Sequence, residues 1–253
     1  MRPVIILHYN EIALKGGNRE WFERQLIGNI RWAVHGVDGV RVQRMSGRVV
    51  VRMTDGHGSL RMATDGTDVV ERLRRIFGIA NIQIGHEVRQ GREDLVKDIV
   101  NVVRCHCERS EAERGNPGGM NGRDCHVAFR APRNDEKFGT FAVRVKRGNK
   151  QYPATSQVLE RELGAAIVEV TGLGVDLEHP DLTVAVEIVE KTAFVLLEKV
   201  DGPGGLPVGV SGRVLSLLSS GFDSPVASWR MMKRGCVVDF IHFHSYPYTS
   251  DAS

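Results

Sequence analysis

The chain has 253 residues, with 34 Lys and Arg against 31 Asp and Glu and a formal net charge of +3. That length holds more than one domain, and the near-balanced charge leaves nucleic-acid binding to a local basic patch. Four cysteines exclude a disulfide scaffold, and the apolar run Val4–Leu7 behind Met1-Arg2-Pro3 is too short for a signal peptide or a membrane span, so a soluble, cytoplasmic protein with no membrane attachment is expected.

In chain order, Val4–His8 reads as a strand. Arg19–Val34 carries apolar residues at Trp21, Phe22, Leu26, Ile30 and Ala33, the stripe of an amphipathic helix. Val40–Gln43 and Arg48–Met53 read as strands around a Ser46-Gly47 turn, Val69–Phe77 as a helix and Ile79–Ile84 as a strand. Strands and helices interleave without a dinucleotide fingerprint, which predicts a small α+β domain of ferredoxin-like type. The stretch from His8 to Arg19 is polar and loop-like, and its Lys15, with Arg19 and Arg24, can reach phosphate.

Glu93–Val103 reads as a helix through Leu95, Ile99, Val102 and Val103. The period then collapses over Cys105–His126, where Gly, Asn and Pro replace aliphatic residues; residues 105–135 are expected to be an insertion that folding does not need. Its two Cys-His pairs do not suit zinc. Cys105 and Cys107 are spaced more tightly than the usual two-residue gap, and Cys125 and His126 are neighbours that cannot easily face one ion. No metal ligand set is therefore assigned.

Thr140–Arg147 alternates, with Phe141, Val143 and Val145 on one face and Arg144 and Lys146 on the other. Together with Arg147 and Lys150 that basic face predicts a phosphate track for RNA. A helix follows from about Ser156 to Val170, with Val158, Leu159, Leu163, Ala166 and Ile167 inward. Val175–Leu177, Leu182–Val189 and Thr192–Leu197 complete an alternating sheet. Asp201–Pro207, rich in Gly and Pro, reads as a linker and the clearest domain boundary.

Val214–Leu218 is a short apolar run of buried parallel-strand type. Ser219, Ser220 and Gly221 are small enough to let a backbone turn approach a ligand. Ser224 is placed to cap the next helix, Pro225 suits its first turn and Gly235 its end. A strand, a small-residue loop and a helix N-terminus form an anion site, and the absence of a Lys-Ser or Lys-Thr pair sets it apart from the Walker loop. Ser219-Ser-Gly-Phe-Asp-Ser224 resembles the Ser-Gly-Gly-x-Asp-Ser signature of PP-loop ATP pyrophosphatases, with Ser220 at the first Gly.

Four stretches occur in the same order in one family: Asn10–Gly16, Phe141–Arg147 with Tyr152-Pro153, Ser219–Ala227 and Phe243–Thr249. The chain resembles the tRNA 4-thiouridine synthetases (tRNA uridine 4-sulfurtransferases) over nearly its whole length outside the insertion. It departs from the family at Asn10, where Gly is usual, and at Ser220. The resemblance implies a ferredoxin-like domain at 1–59, a THUMP RNA-binding domain at 60–199 interrupted at about 105–135, a linker at 200–208, and the first part of an α/β PP-loop (adenine nucleotide α-hydrolase-like) domain at 209–253. It further implies that Leu217, Leu218, Ser219, Ser220, Gly221, Ser224, His242 and Phe243 bind ATP, that Asp223 serves adenylation, and that Mg²⁺ accompanies the phosphates.

In the implied reaction the O4 of a tRNA uridine is adenylated, and a protein persulfide loaded by a cysteine desulfurase displaces AMP, leaving 4-thiouridine. Sulfur transfer for thiamine thiazole synthesis is a further implied role. The resemblance implies that the family's sulfur-carrying cysteine lies beyond Ser253; Cys236 is not expected to stand in for it, because it begins the strand that His242 ends and so lies roughly 20 Å from the loop. A PP-loop domain of two strands and one helix is expected to be incomplete and inactive alone. A non-catalytic tRNA-binding THUMP module is the alternative. A different PP-loop enzyme, such as an amidating synthetase, is disfavoured by the THUMP-like segment and by Tyr246–Thr249.

Overall fold

The computed structural model describes residues 1–53, 69–115, 138–148, 151–190 and 192–243. The first unit is built from strand β1 (Arg2–His8), helix α1 (Arg19–Ala33), strands β2 (Val40–Met45) and β3 (Arg48–Met53), helix α2 (Val69–Leu73) and strand β4 (Asn81–Val88). Its strands run antiparallel in the order β2-β3-β1-β4, the ferredoxin-like βαββαβ arrangement. Ile5 and Leu7 of β1, Leu26 and Ile30 of α1, Leu73 of α2 and Ile82 of β4 share one core. The stretch between β1 and α1 is not an open loop but two 3₁₀ turns, Glu11–Leu14 and Gly16–Asn18.

Two details of these helices differ from the sequence reading. Trp21, expected inward, is 45% exposed. At 100° per residue it lies some 200° around α1 from Glu23, and Glu23 occupies the buried stripe with Leu26, Ile27 and Ile30. Helix α2 stops at Leu73 rather than at Phe77. Arg75 and Ile76 then bond to carbonyls only three residues back, a tightened last turn.

The second unit comprises helix α3 (Arg92–Gly115), strand β5 (Thr140–Arg147), helix α4 (Ser156–Thr171) and strands β6 (Gly174–Val175), β7 (Leu182–Val189) and β8 (Thr192–Asp201). Helix α3 runs twelve residues past Val103, into the segment expected to be irregular. Residues 92–114 contain neither Gly nor Pro, so nothing local stops the helix there. Cys107 packs on the core, and the His106 ring stacks on Phe138 at 5.5 Å. Helix α4 is capped by Thr155, whose hydroxyl accepts from the Val158 N–H, and closed by Gly172 at φ +70. Its buried stripe is Leu159, Leu163 and Ile167. Val158, expected inward, is 39% exposed because it sits about 100° off that line.

Strand β4 belongs to both units. It pairs with β1 on one side and β8 on the other, so one eight-stranded sheet runs β2-β3-β1-β4-β8-β7-β5-β6. The ladder to β8 slips between Ile84 and Gly85, where a Cβ on Gly85 would lie 1.9 Å from the Val195 carbonyl oxygen. Beyond this bulge the sheet curls. Arg48 of β3 and Glu187 of β7 are four strands apart, roughly 19 Å in a flat sheet, yet they form an ion pair. The helix-free faces meet around them: Val4, Ile6 and Val50 pack on Val189, Phe194 and Leu196.

His8 sits in that fold-over, 3.5 Å from Glu187 and bonded to Gln83. Burial, and then the Arg48 charge, lower its pKa to about 4 against the pull of Gln83, with Lys146 and Lys199 adding to the lowering. The ring is therefore neutral at pH 7. Above pH 6.5 His8 is neutral folded and unfolded; between 6.5 and 4 only the unfolded chain takes up the proton. Stability should thus be fully present above 6.5 and fall by on the order of 3 kcal/mol as pH drops to 4. Denaturant melts of His8→Gln across this window should show a flatter decline, and an unchanged slope would show that other groups carry it.

Candidate functional site

The last unit consists of strand β9 (Arg213–Leu217), helix α5 (Asp223–Lys233) and strand β10 (Val237–Ile241), with β9 and β10 parallel. The loop from Leu218 to Phe222 leaves the C-terminal end of β9, where ligands sit in open α/β sheets. It is held from below by serines. Ser228, 2% exposed on α5, donates to the Ser224 carbonyl at 2.7 Å, so the Ser216 hydroxyl, also at 2.7 Å, must donate to Ser228. This chain ties β9 to the first turn of α5.

Ser224 does not cap α5 as expected. The N-cap position is Phe222, with no side-chain cap bond, and Ser224 is the second residue of the helix, inside its first turn. Its hydroxyl turns back to accept the Ser219 N–H at 3.0 Å and lies 3.0 Å from the Ser219 hydroxyl. The helix start is therefore left open. Among the described residues, the N–H groups of Ser220, Gly221, Phe222, Asp223 and Ser224 find no partner within the chain, and Pro225 has none to offer. These converging donors at a helix N-terminus form an anion cradle. A Cβ on Gly221 would meet only the Ser219 hydroxyl, at 3.6 Å, so the chain itself does not require a glycine there; an approaching ligand would.

Around the cradle, Leu218 donates its N–H to the Ile241 carbonyl at 2.8 Å, and its own carbonyl accepts from His242 Nδ1 at 2.9 Å. Because a carbonyl only accepts, Nδ1 carries the proton in this bond. Leu217, Phe222 and Phe243 are exposed at the mouth, as is the Asp223 carboxylate, which makes no ion pair among the described residues. Phe222, 91% exposed, was not singled out from the sequence; its place between Gly221 and Asp223 was the available signal. Cys236 is buried at the start of β10, its thiol donating to the Ser211 carbonyl at 3.6 Å, at the opposite end of the sheet from the loop.

The basic residues separate into different environments. Arg144 and Lys146 lie exposed on the helix-free face of β5, with the Arg144 guanidinium donating to the Leu177 carbonyl. Arg147 turns into the fold, donating to the carbonyls of Ala154 at 2.7 Å and Tyr152 at 3.4 Å and to the Ser156 hydroxyl at 3.3 Å. Lys15 lies in the first unit, its ammonium 5.3 Å from the centre of the Phe22 ring. Lys150, Cys125, His126 and Tyr246–Thr249 lie outside the described residues.

A polar cavity of about 590 Å³ opens where the first unit, through Gly16–Glu23 and Arg44–Gly47, meets Glu190 of the β7–β8 turn. At its floor Glu23, 3% exposed, accepts from Tyr9 and pairs with Arg19 at 2.8 Å and Arg44 at 3.0 Å. Burial pushes the Glu23 carboxyl up, but bonds from Tyr9 and Arg19 and the charges of Arg44 and Arg19 outweigh it and hold it below the usual range. In the sequence the signal for this network is a charged residue, Glu23, on the apolar stripe of α1.

Three family descriptions match in order: "ThiI ferredoxin-like domain" at residues 4–82, "THUMP domain" at 126–198 and "Thiamine biosynthesis protein (ThiI)" at 209–253. Fold and loop together define a THUMP-bearing protein with the start of a PP-loop nucleotide domain. A probable tRNA sulfurtransferase of Caldanaerobacter subterraneus is 37% identical over 99% of this chain and 56% of its own length. One from Brevibacillus brevis is 38% identical over 98% and 53%. Among solved structures, a 4-thiouridine synthetase in complex with RNA and bound ATP superposes with a TM-score of 0.72 at 31% identity, covering 99% of this chain and 55% of that one. A Pyrococcus horikoshii protein matches with a TM-score of 0.72 at 25% identity, over 95% and 69%. The chain is thus similar over nearly its whole length to the tRNA sulfurtransferases, and it spans about half the length of the curated relatives it matches.

Arg147→Ala should lower stability by about 1–2 kcal/mol, since it removes the donors that hold residues 152–156 against β5. A melt within a few tenths of wild type would return Arg147 to the pool of residues free to bind phosphate.

Proposed function

We propose that the chain forms the ATP-loop and tRNA-binding portion of an ATP-dependent tRNA uridine sulfurtransferase. The observation that carries this reading is the open run of N–H groups at Ser220–Ser224, at the end of a parallel strand and the start of α5. In the proposed reaction the uridine O4 bonds to the α-phosphorus of ATP, the bond to the β-phosphate oxygen breaks, and pyrophosphate leaves. The loop N–H groups and the α5 dipole stabilise the charge growing on the departing phosphates. The side chains of Leu217, Phe222, His242 and Phe243 border the adenosine side.

The exposed Asp223 carboxylate, unpaired among the described residues, fits a Mg²⁺ ion at the phosphates, which when bound would neutralise their charge. Persulfide sulfur loaded by a cysteine desulfurase then attacks C4, AMP leaves, and a thiol cleaves the S–S bond to give the thiocarbonyl. Cys236 does not supply that sulfur, because it is buried at the wrong end of β10. The same activated sulfur would serve thiazole formation for thiamine. For tRNA, the exposed Arg144 and Lys146, with Lys150 and Lys15, form the phosphate contacts, with Arg147 bracing the loop beside them.

Three outcomes test this reading. Binding of tRNA by the 253-residue chain should weaken with salt, and Arg144→Gln with Lys146→Gln should reduce the log–log slope by about two. Mass analysis of digested tRNA should find no 4-thiouridine made by this chain supplied with ATP, desulfurase and cysteine; thiolated nucleoside would mean that a cysteine within it suffices. In a longer protein carrying the rest of the PP-loop domain, Asp223→Asn should abolish AMP release while tRNA affinity stays within about twofold of wild type. Loss of tRNA binding in that variant would argue for a structural role of the carboxylate.

A further inference from the structure

The segment that reads as a flexible linker is bonded on both sides. Toward the first unit, Gly202 donates to the Ala80 carbonyl at 3.0 Å and Gly204 to the Ile79 carbonyl at 2.8 Å, while Gly204 accepts from Gly78 at 2.8 Å. Toward the last unit, Leu206 donates to the Lys233 carbonyl at 2.9 Å, and Gly209 and Ser211 donate to the Gly235 carbonyl at 2.8 and 3.0 Å. Its glycines are there for contact. A Cβ on Gly202 would lie 2.3 Å from the Ile79 oxygen, and one on Gly205, at φ +76, 2.3 Å from the Lys233 oxygen.

Between these two rows, one carbonyl is gripped from α1. The amides of Gln25 and Asn29, one turn apart, both donate to the Val208 oxygen at 3.0 Å. The fit is close enough that a Cβ on Gly209 would come within 2.6 Å of Gln25 Nε2. Beside the strap, Trp229 of α5 meets Phe77 edge-on at 5.3 Å. The C-terminal end of α5 is thereby anchored to the first unit, and its N-terminal end carries the anion cradle.

We infer that Gln25 and Asn29 are positioning residues: through the Val208 carbonyl they hold the nucleotide loop at a set place relative to the RNA-binding units, so that a tRNA bound there presents its target uridine to the loop. The inference rests on the proposed tRNA reading. Neither residue touches nucleotide or RNA in this role. Removing their amides should leave both ligands' own contacts intact and lose the alignment between them.

The test compares wild type with Gln25→Leu/Asn29→Leu. Hydrogen exchange of the 202–211 segment should be slow in wild type and rise by about tenfold or more in the variant, with β1 and β4 unchanged. Thiolated tRNA provides the second readout, because 4-thiouridine crosslinks under near-ultraviolet light to whatever it touches. In wild type the crosslink should map to residues 214–243. In the variant it should fall at least fivefold, with tRNA affinity within twofold of wild type. Gly205→Ala, which pries the strap from Lys233 instead, should reproduce the loss without touching α1.

Unchanged exchange in the double variant, or a crosslink that persists despite a loosened strap, would overturn the inference and leave the tRNA reading standing. A wild-type chain that binds tRNA but never crosslinks at residues 214–243 would overturn the positioning role as well. A wild-type chain that does not bind tRNA would refute the proposed function itself.

Discussion

The pairing of β4 with β8 is the contact on which the rest of the architecture depends. It turns two units into one eight-stranded sheet, and it is possible only because residue 85 is a glycine, with the Val195 carbonyl where a side chain would be. The bulge at that point curls the sheet strongly enough to bring Arg48 to Glu187 across three intervening strands. The fold-over then buries an apolar seam, from Val4 and Ile6 to Phe194 and Leu196, together with a neutral histidine. Such a seam resists hinge motion between the units, because opening it would expose the seam and leave Glu187 without its cation.

The same economy of glycine governs the connection to the nucleotide loop. A run of Gly and Pro is commonly a swivel, since glycine frees the backbone. Here Gly202 and Gly205 each face a backbone oxygen of a neighbouring segment at a distance no Cβ could share, and Gly209, at φ +104, faces the Gln25 amide. The segment is therefore rigid for the reason it looks flexible: only residues without side chains let three stretches of backbone come within hydrogen-bond distance of one another.

Positive charge in the chain does two kinds of work. Arg19, Arg44, Arg48 and Arg147 are held by carboxylates or carbonyls and brace the fold, whereas Lys146 stands exposed on β5 with charge to offer a partner. Alternation along β5 correctly separates Arg144 and Lys146 from the apolar core. It also puts Arg147 on the face of Phe141, Val143 and Val145, but it does not show what Arg147 meets there, which is the carbonyl of Ala154 in the following loop.

Much of the fold was legible in local pattern. The apolar runs of β1, β3 and β7, the stripe of α4 with its Thr155 cap and Gly172 stop, and the small-residue loop before α5 follow from period, capping and turn chemistry, which act over a few residues. Strand β9 forms where its apolar run predicts a strand, but not a buried one, since Leu215 and Leu217 are 66% and 65% exposed with only β10 beside it and α5 over one face. The helix stop placed at Val103 was wrong because loss of apolar period does not end a helix that contains no Gly or Pro. Ser224 was misassigned as a cap because its rival acceptor role, toward the Ser219 N–H, depends on where the loop folds back. The curl at Gly85, the pairing of Arg48 with Glu187 and the grip of Gln25 and Asn29 on Val208 join residues 139 to 183 positions apart, or a backbone atom to a missing side chain. Sequence by itself determined the elements and the small-residue character of the loop; only the tertiary structure decided where that loop stands relative to the eight-stranded sheet, because the bonds that set it are made between segments that share no local pattern.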